Sequence, residues 1–208
     1  MVKKFLKRVL PEKLIWKLNA MFPAKPFLSD ISNTERIVEY AWAIQQLPKE
    51  GYILDVGCSG SMFPKMLASL GYSVIGADMR DSKIEHPNFI FYHGNVCDFI
   101  GCKFDAITCI STLEHTALRE GEYERTIKKL KEMLKPNGVI LITVACGVPA
   151  MLNGYRVFGV DEFENAEYFK GVRKGIWVKS SKREVSKVVM KNKDEVKAIV
   201  CAIIKKGE

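Results

Sequence analysis

Only three histidines, at 86, 93 and 115, occur in the 208 residues, and the six cysteines (58, 97, 102, 109, 146 and 201) form no C-x-x-C pair. No structural-zinc spacing and no disulfide framework is therefore expected. Cysteines 58, 109, 146 and 201 sit in apolar surroundings, as free buried thiols of a reducing compartment do, so a cytoplasmic location is expected. Long hydrophobic runs are missing too. The longest, Val139–Cys146, has strand length and falls short of the ~20 residues of a membrane span. Met1–Lys25 has lysines scattered through it and does not read as a secretory signal. Internal repeats and low-complexity stretches are absent, as is any RNP-like aromatic string or KH-type clamp, which argues against nucleic acid as a partner.

What is present is a globular balance, 48% hydrophobic and 27% charged, in a length that suits one domain. The net charge of +8 is unevenly spread. Residues 1–25 carry +6 and residues 170–208 carry +8, which leaves −6 on the stretch between them. Residues 3–22 mix cationic and apolar groups around Pro11 and predict two short amphipathic helices. We expect a basic extension over 1–30, followed by a single domain over 31–208. The extension suits either a lid over an acceptor pocket, the preferred reading, or contact with an anionic membrane surface.

Ile37, Tyr40, Ala41 and Ile44 predict a helix over 34–47, with Ser32, Asn33 and Thr34 as cap candidates. From residue 52 the pattern alternates. Strands are predicted at Tyr52–Val56, Ser73–Ala77, Phe89–His93, Phe104–Ile110 and Val139–Val144, and helices at 61–70 and 121–134. Lys135-Pro136-Asn137-Gly138 reads as a stop and turn. This rhythm means a parallel sheet covered on both faces, an α/β fold. The tail departs from it, with two further strands over 172–178 and 196–205 and no full-length helix expected between them.

Three features at successive strand ends point to a nucleotide-like ligand. The first strand runs through Asp55 into Gly57-Cys58-Ser59-Gly60-Ser61, a turn that lets backbone approach a ligand. Asp78 closes the second strand, where a carboxylate can accept ribose hydroxyls. The third strand runs into Gly94-Asn95-Val96-Cys97-Asp98, where an acid can meet an adenine amine. Asp78 and Asp98 could each equally cap a neighbouring helix.

With these residues the chain resembles the class I S-adenosylmethionine-dependent methyltransferases. The likeness covers about residues 35–146. It rests on Ile53-Leu54-Asp55-Val56-Gly57-Cys58, Val74-Ile75-Gly76-Ala77-Asp78, Phe104-Asp105-Ala106-Ile107, Leu113-Glu114-His115 and Leu134-Lys135-Pro136-Asn137-Gly138. Within that family it is similar to the small-molecule branch that includes ubiquinone-type enzymes. Phe63-Pro64 with Leu67–Tyr72 adds a looser likeness to members associated with cell-surface saccharides.

The resemblance implies a Rossmann-like seven-stranded sheet in the order 3-2-1-4-5-7-6, with strand seven antiparallel. It implies S-adenosylmethionine as cofactor, S-adenosylhomocysteine as product, and methyl transfer to a small molecule or saccharide precursor by in-line displacement without a metal. Asp55 and the turn of Gly57, Cys58, Ser59 and Gly60 would hold the methionine end, Asp78 the ribose, and Asp98 with Val96 and Cys97 the adenine, with Met79 a further cofactor-binding candidate. Ile110, Ser111 and Glu114 would line the pocket below the sulfonium. From their place at the exit of the fourth strand, His115 and Glu114 are the catalytic candidates: the imidazole either takes a proton from a hydroxyl acceptor or only orders the loop, and Glu114 is either a catalytic group or a pocket wall. One departure stands out, since Ser occupies the family's second and third glycine positions at 59 and 61. The alternatives are an RNA methyltransferase, a binding protein that has lost catalysis, and a nicotinamide-dependent oxidoreductase. The last is disfavoured because no Tyr-x-x-x-Lys pair occurs. Acceptor choice should fall to 1–30 and to 147–171, with Asn153, Tyr155, Arg156, Asp161, Glu162 and Tyr168.

Overall fold

The computed structural model describes residues 35–116, 119, 121–152, 155–173, 176–191 and 198–207. The two helices expected over 3–22 and the cap candidates Ser32, Asn33 and Thr34 lie outside these residues. Strands β1 (Tyr52–Val56), β3 (Phe89–His93) and β4 (Phe104–Ile110) have the predicted bounds, and β2 (Ser73–Asp78) runs one residue further. Helices α1 (Arg36–Gln46), α2 (Phe63–Ser69) and α4 (Glu122–Met133) are slightly shorter than expected. A one-turn helix, α3 (Leu113–Thr116), follows β4.

β1 pairs in parallel with β2 and β4, β2 with β3, and β4 with β5 (Leu134–Cys146). Side chains alternate between two cores. Ile53, Ala106 and Leu141 face α1 and α2, while Leu54, Ile107, Ile140 and Ile142 face α4. Burial on both faces is why these strands read as continuous apolar runs. Each fully buried Ile or Leu contributes roughly 1.5–3 kcal/mol. On α4 the inward positions are Thr126, Leu130 and Met133, a helical spacing.

Beyond β5 the sheet continues with β10 (Ala198–Lys205), β8 (Ala166–Arg173) and β9 (Ile176–Ser180). Among the described residues the order is β3-β2-β1-β4-β5-β10-β8-β9. β10 is antiparallel to both β5 and β8, so the expected arrangement holds, with an eighth strand added at the edge. β6 (Ala150–Leu152) and β7 (Tyr155–Val157) form a separate two-stranded ribbon.

Three expectations are corrected. The single strand over 172–178 is two strands, β8 and β9, because the apolar residues Val172, Ile176, Trp177 and Val178 straddle a hairpin. A helix does precede β10. This is α5 (Lys182–Lys191), which buries Val185 and Val189, one helical turn apart. The stop-and-turn at 135–138 lies inside β5. Leu134 already pairs with Phe104, the chain then bulges with Asn137 at φ 63°, and pairing resumes at Ala106 and Val139. Pro136 has no N–H for a ladder and is tolerated in such a bulge.

Candidate active site

The C-terminal ends of β1, β2, β3 and β4 open onto a cleft of about 720 Å³, within the range of small-molecule pockets. Gly57, at the end of β1, has φ 77°, and a Cβ there would stand 2.2 Å from Thr112 Oγ1, so the turn requires glycine. Gly60, φ 76°, supplies the second left-handed residue. The two serines make bonds that glycine could not. Ser61 Oγ lies 3.0 Å from the Tyr40 hydroxyl and accepts the Phe63 N–H at the start of α2, and Ser59 Oγ donates to the Asp81 carbonyl.

Asp78 closes β2 with both carboxylate oxygens engaged. Oδ2 accepts the Ser59 N–H and Oδ1 the Arg80 N–H, each at 2.8 Å. The Arg80 guanidinium stands 3.6 Å from Oδ1 and donates to the Ser59 carbonyl. Further along the wall, Asn95 Oδ1 accepts the Cys97 N–H at 2.9 Å, which holds the short turn Val96–Asp98.

The opposite wall is tied together by Glu39, a fully buried carboxylate on α1. Its Oε1 accepts the hydroxyls of Ser111 (2.6 Å) and Thr143 (2.7 Å), and its Oε2 accepts Arg36 at 2.6 Å. Ser111 has a left-handed backbone, φ 43°, and its N–H donates to the Thr143 carbonyl, so the network holds a strained residue at the mouth of β4. Tyr40 stacks on Phe63, with ring centroids 4.7 Å apart.

Of the residues singled out from sequence, Gly57, Ser59, Gly60, Asp78, Met79, Val96, Cys97, Ile110, Ser111 and His115 all line this one cleft. Four do not. Asp55 lies inside the sheet, 3% exposed, and accepts the Thr108 hydroxyl at 2.6 Å. Burial pushes its carboxyl up to about 7, with Asp78 adding to the rise and Thr108 opposing it. Cys58 is buried against β2, and burial lifts its thiol to about 12. Asp98 is exposed at the far end of its turn, and Asn95 takes the cleft position instead. Glu114 is buried and lines a second cavity of about 410 Å³.

That second cavity shares Arg36, Ser111 and His115 with the cleft. Of the acceptor-segment candidates, Tyr155 reaches it, its ring 6.2 Å from that of His115. Arg156 pairs with Glu162, Tyr168 donates to the Val160 carbonyl, and Asn153 lies outside the described residues. Sequence reasoning missed Arg36, Tyr40, Asn95, Arg125 and Thr126 on the cleft wall. Asn95 had a signal, since it follows β3 much as Asp78 closes β2. Arg125 and Thr126 read as helix surface.

The methyltransferase-domain family profile matches residues 30–178. A ubiquinone biosynthesis O-methyltransferase of Chelativorans sp. (strain BNC1) is 35% identical over 107 residues, 46% of this chain and 41% of the relative. One from Coxiella burnetii (strain RSA 493 / Nine Mile phase I) is 30% identical over 111 residues, 48% of this chain and 46% of the relative. The chain thus matches less than half the length of these relatives. A SAM-dependent methyltransferase structure from Methanosarcina mazei superposes with a TM-score of 0.55 at 16% identity, covering 79% of this chain and 96% of that one. A glycopeptide N-methyltransferase does so at 0.51 and 10% identity, covering 88% and 99%. Both show the same fold.

Proposed function

Since the chain belongs to the methyltransferase-domain family, the class I S-adenosylmethionine-dependent methyltransferases, we propose that it moves a methyl group from that cofactor to a small molecule or saccharide precursor. The supporting observation is the convergence of the Gly57 turn, Asp78, the Asn95–Cys97 turn and Ser111 on one cleft of suitable volume, with a second cavity sharing its wall. The close backbone approach at Gly57 and the carboxylate at Asp78 fit an aminoacyl nucleoside. In this reading the Gly57–Gly60 backbone and Arg36 face the methionine end, Asp78 and Met79 the ribose, and Asn95, Val96 and Cys97 the adenine.

Bound S-adenosylmethionine supplies an electrophilic methyl on a sulfonium. The protein's task is then alignment. Ser111, His115 and Arg36 stand on the wall common to both cavities, where an acceptor in the smaller one would meet the methyl group. In this reading His115 and Glu114, which line the smaller cavity, would hold an acceptor proton. Residues 31–208 would act as one domain and the basic residues 1–30 as a cover on the acceptor side. The six free cysteines support a cytoplasmic setting. Among the described residues no helix is long and apolar enough to cross a membrane.

Calorimetric titration with S-adenosylmethionine, S-adenosylhomocysteine and NAD tests the reading. Both sulfur ligands should bind and NAD should not. Binding of NAD with neither sulfur ligand would overturn it.

A further inference from the structure

The smaller cavity has a chemical character of its own. Beside the residues it shares with the cleft, its wall consists of two acids, Glu35 and Glu114, two aromatic rings, Tyr155 and Trp177, and the apolar Ala145 and Ile199. Arg36 is the one arginine or lysine among the described lining residues, and it is already paired with Glu39 at 2.6 Å. That pair is neutral as a unit and leaves the two acids unbalanced. Glu114 is 5% exposed, and its Oε2 has no hydrogen-bond partner among the described residues. A buried carboxyl without a partner is costly unless a ligand supplies a donor. Aromatic faces attract a cation, and a carboxylate accepts its N–H groups in charge-assisted bonds.

We propose that this cavity binds a methyl acceptor whose nucleophile is a basic amine on a small molecule, and that Glu114 accepts first the ammonium's hydrogen bond and then its proton. The proposal rests on the methyl-transfer reading above. A hydroxyl brings no positive charge to favour ionised Glu114, and a carboxylate would keep Glu114 protonated and meet Glu35 on the same wall. The groups facing Glu114 are Glu35, which caps α1, Arg36 and Glu39 from α1, Cys109 from β4, the neighbouring His115, and Tyr155 from β7. Burial pushes the Glu114 carboxyl up to about 8, with Glu39 and Glu35 adding to the rise and Arg36 opposing it. A carboxyl so raised holds its proton in the free protein at pH 7, and an alkylammonium, which titrates near ~10.4, favours the ionised Glu114 that can accept its hydrogen bond.

The chemistry balances. The ammonium gives one proton to ionised Glu114. The amine nitrogen bonds to the methyl carbon as the carbon–sulfur bond breaks, its electron pair remaining on sulfur. The product leaves as a secondary ammonium, and Glu114 returns its proton to solvent.

Three probes of one shape test this on protein saturated with S-adenosylhomocysteine: phenethylamine, 2-phenylethanol and 3-phenylpropionate. Titration at pH 7 in phosphate and in Tris, buffers of different ionisation enthalpy, reads affinity and proton release together. Phenethylamine should bind at least about tenfold tighter than the alcohol, as one charge-assisted hydrogen bond supplies. Its binding should release up to one proton as Glu114 ionises. Glu114→Gln should keep S-adenosylhomocysteine affinity and lose both the amine preference and the proton release. Equal or tighter binding of the alcohol or the carboxylate, no binding of the amine, or a preference that survives in Glu114→Gln would overturn the proposal. Should Glu114→Gln fail to fold, the wild-type probe order and proton release decide. Failure to bind S-adenosylhomocysteine at all would instead sink the underlying methyl-transfer reading.

Discussion

Asp78 receives two backbone amides, from Ser59 and Arg80, so it fixes the Gly57–Ser61 turn as well as facing the cleft. If its remaining lone pairs accept ribose hydroxyls, Asp78→Ala should weaken S-adenosylhomocysteine binding by about 1.5–3 kcal/mol, roughly 10- to 150-fold. Calorimetry on a variant with an unchanged circular dichroism spectrum measures this, and retained affinity would remove Asp78 from the site. Asp78 was legible in the sequence because its position at a strand end fixes its surroundings. Glu39 was not. Within the helix expected over 34–47 it reads as a solvated side chain, and only the tertiary meeting with Ser111 and Thr143 makes it a buried anchor. Asp55 shows the converse, since its place on β1 was legible but not that Thr108 on the adjacent strand would satisfy it away from the cleft.

Among the elements, strands with both faces covered were the easiest to place, because burial on two sides leaves an unbroken apolar run with sharp ends. The β8–β9 hairpin was hidden for the same reason, since its two half-buried strands adjoin and together resemble one run. Helix α5 was overlooked although Val185 and Val189 carry its spacing, because lysines surround them. Helix α1 matters most to the site, for it brings Arg36 and Tyr40 to the cleft wall and supplies the buried Glu39 that holds Arg36 and Ser111. Glu39→Ala would strand Arg36 and the hydroxyls of half-buried Ser111 and buried Thr143. The expected loss is about 3 kcal/mol, the lower end for breaking a buried pair because the Arg36 side chain is 32% exposed. Urea unfolding measures that loss. S-adenosylhomocysteine affinity should fall with it, as Arg36 and Ser111 lose their shared support. A loss below about 1 kcal/mol, the size of one ordinary hydrogen bond, would show that the network is dispensable.

For the molecule as a whole, two buried carboxyls set the response to pH. Asp55 is raised to about 7 and Glu114 to about 8, in both cases first by burial. Each holds its proton more tightly folded than unfolded, so between about pH 4 and pH 8 the folded state binds more protons and stability falls as pH rises. The melting temperature should therefore be higher at pH 5 than at pH 8, by a stability difference on the order of a few kcal/mol. Asp55→Asn and Glu114→Gln should each flatten the slope. Scanning fluorimetry across that range reads it, and a melting temperature that climbs from pH 5 to pH 8 would contradict both assignments. The order of the sheet has one more consequence, and it concerns the growing chain. β10 comes after β8 and β9 in sequence yet lies between β5 and β8. Until Ala198–Lys205 leave the ribosome, the apolar edges of β5 and β8 stay open to other chains. Slow translation or premature termination just upstream of residue 198 would expose both edges at once, so nascent chains of this protein should depend on a chaperone most heavily at that point.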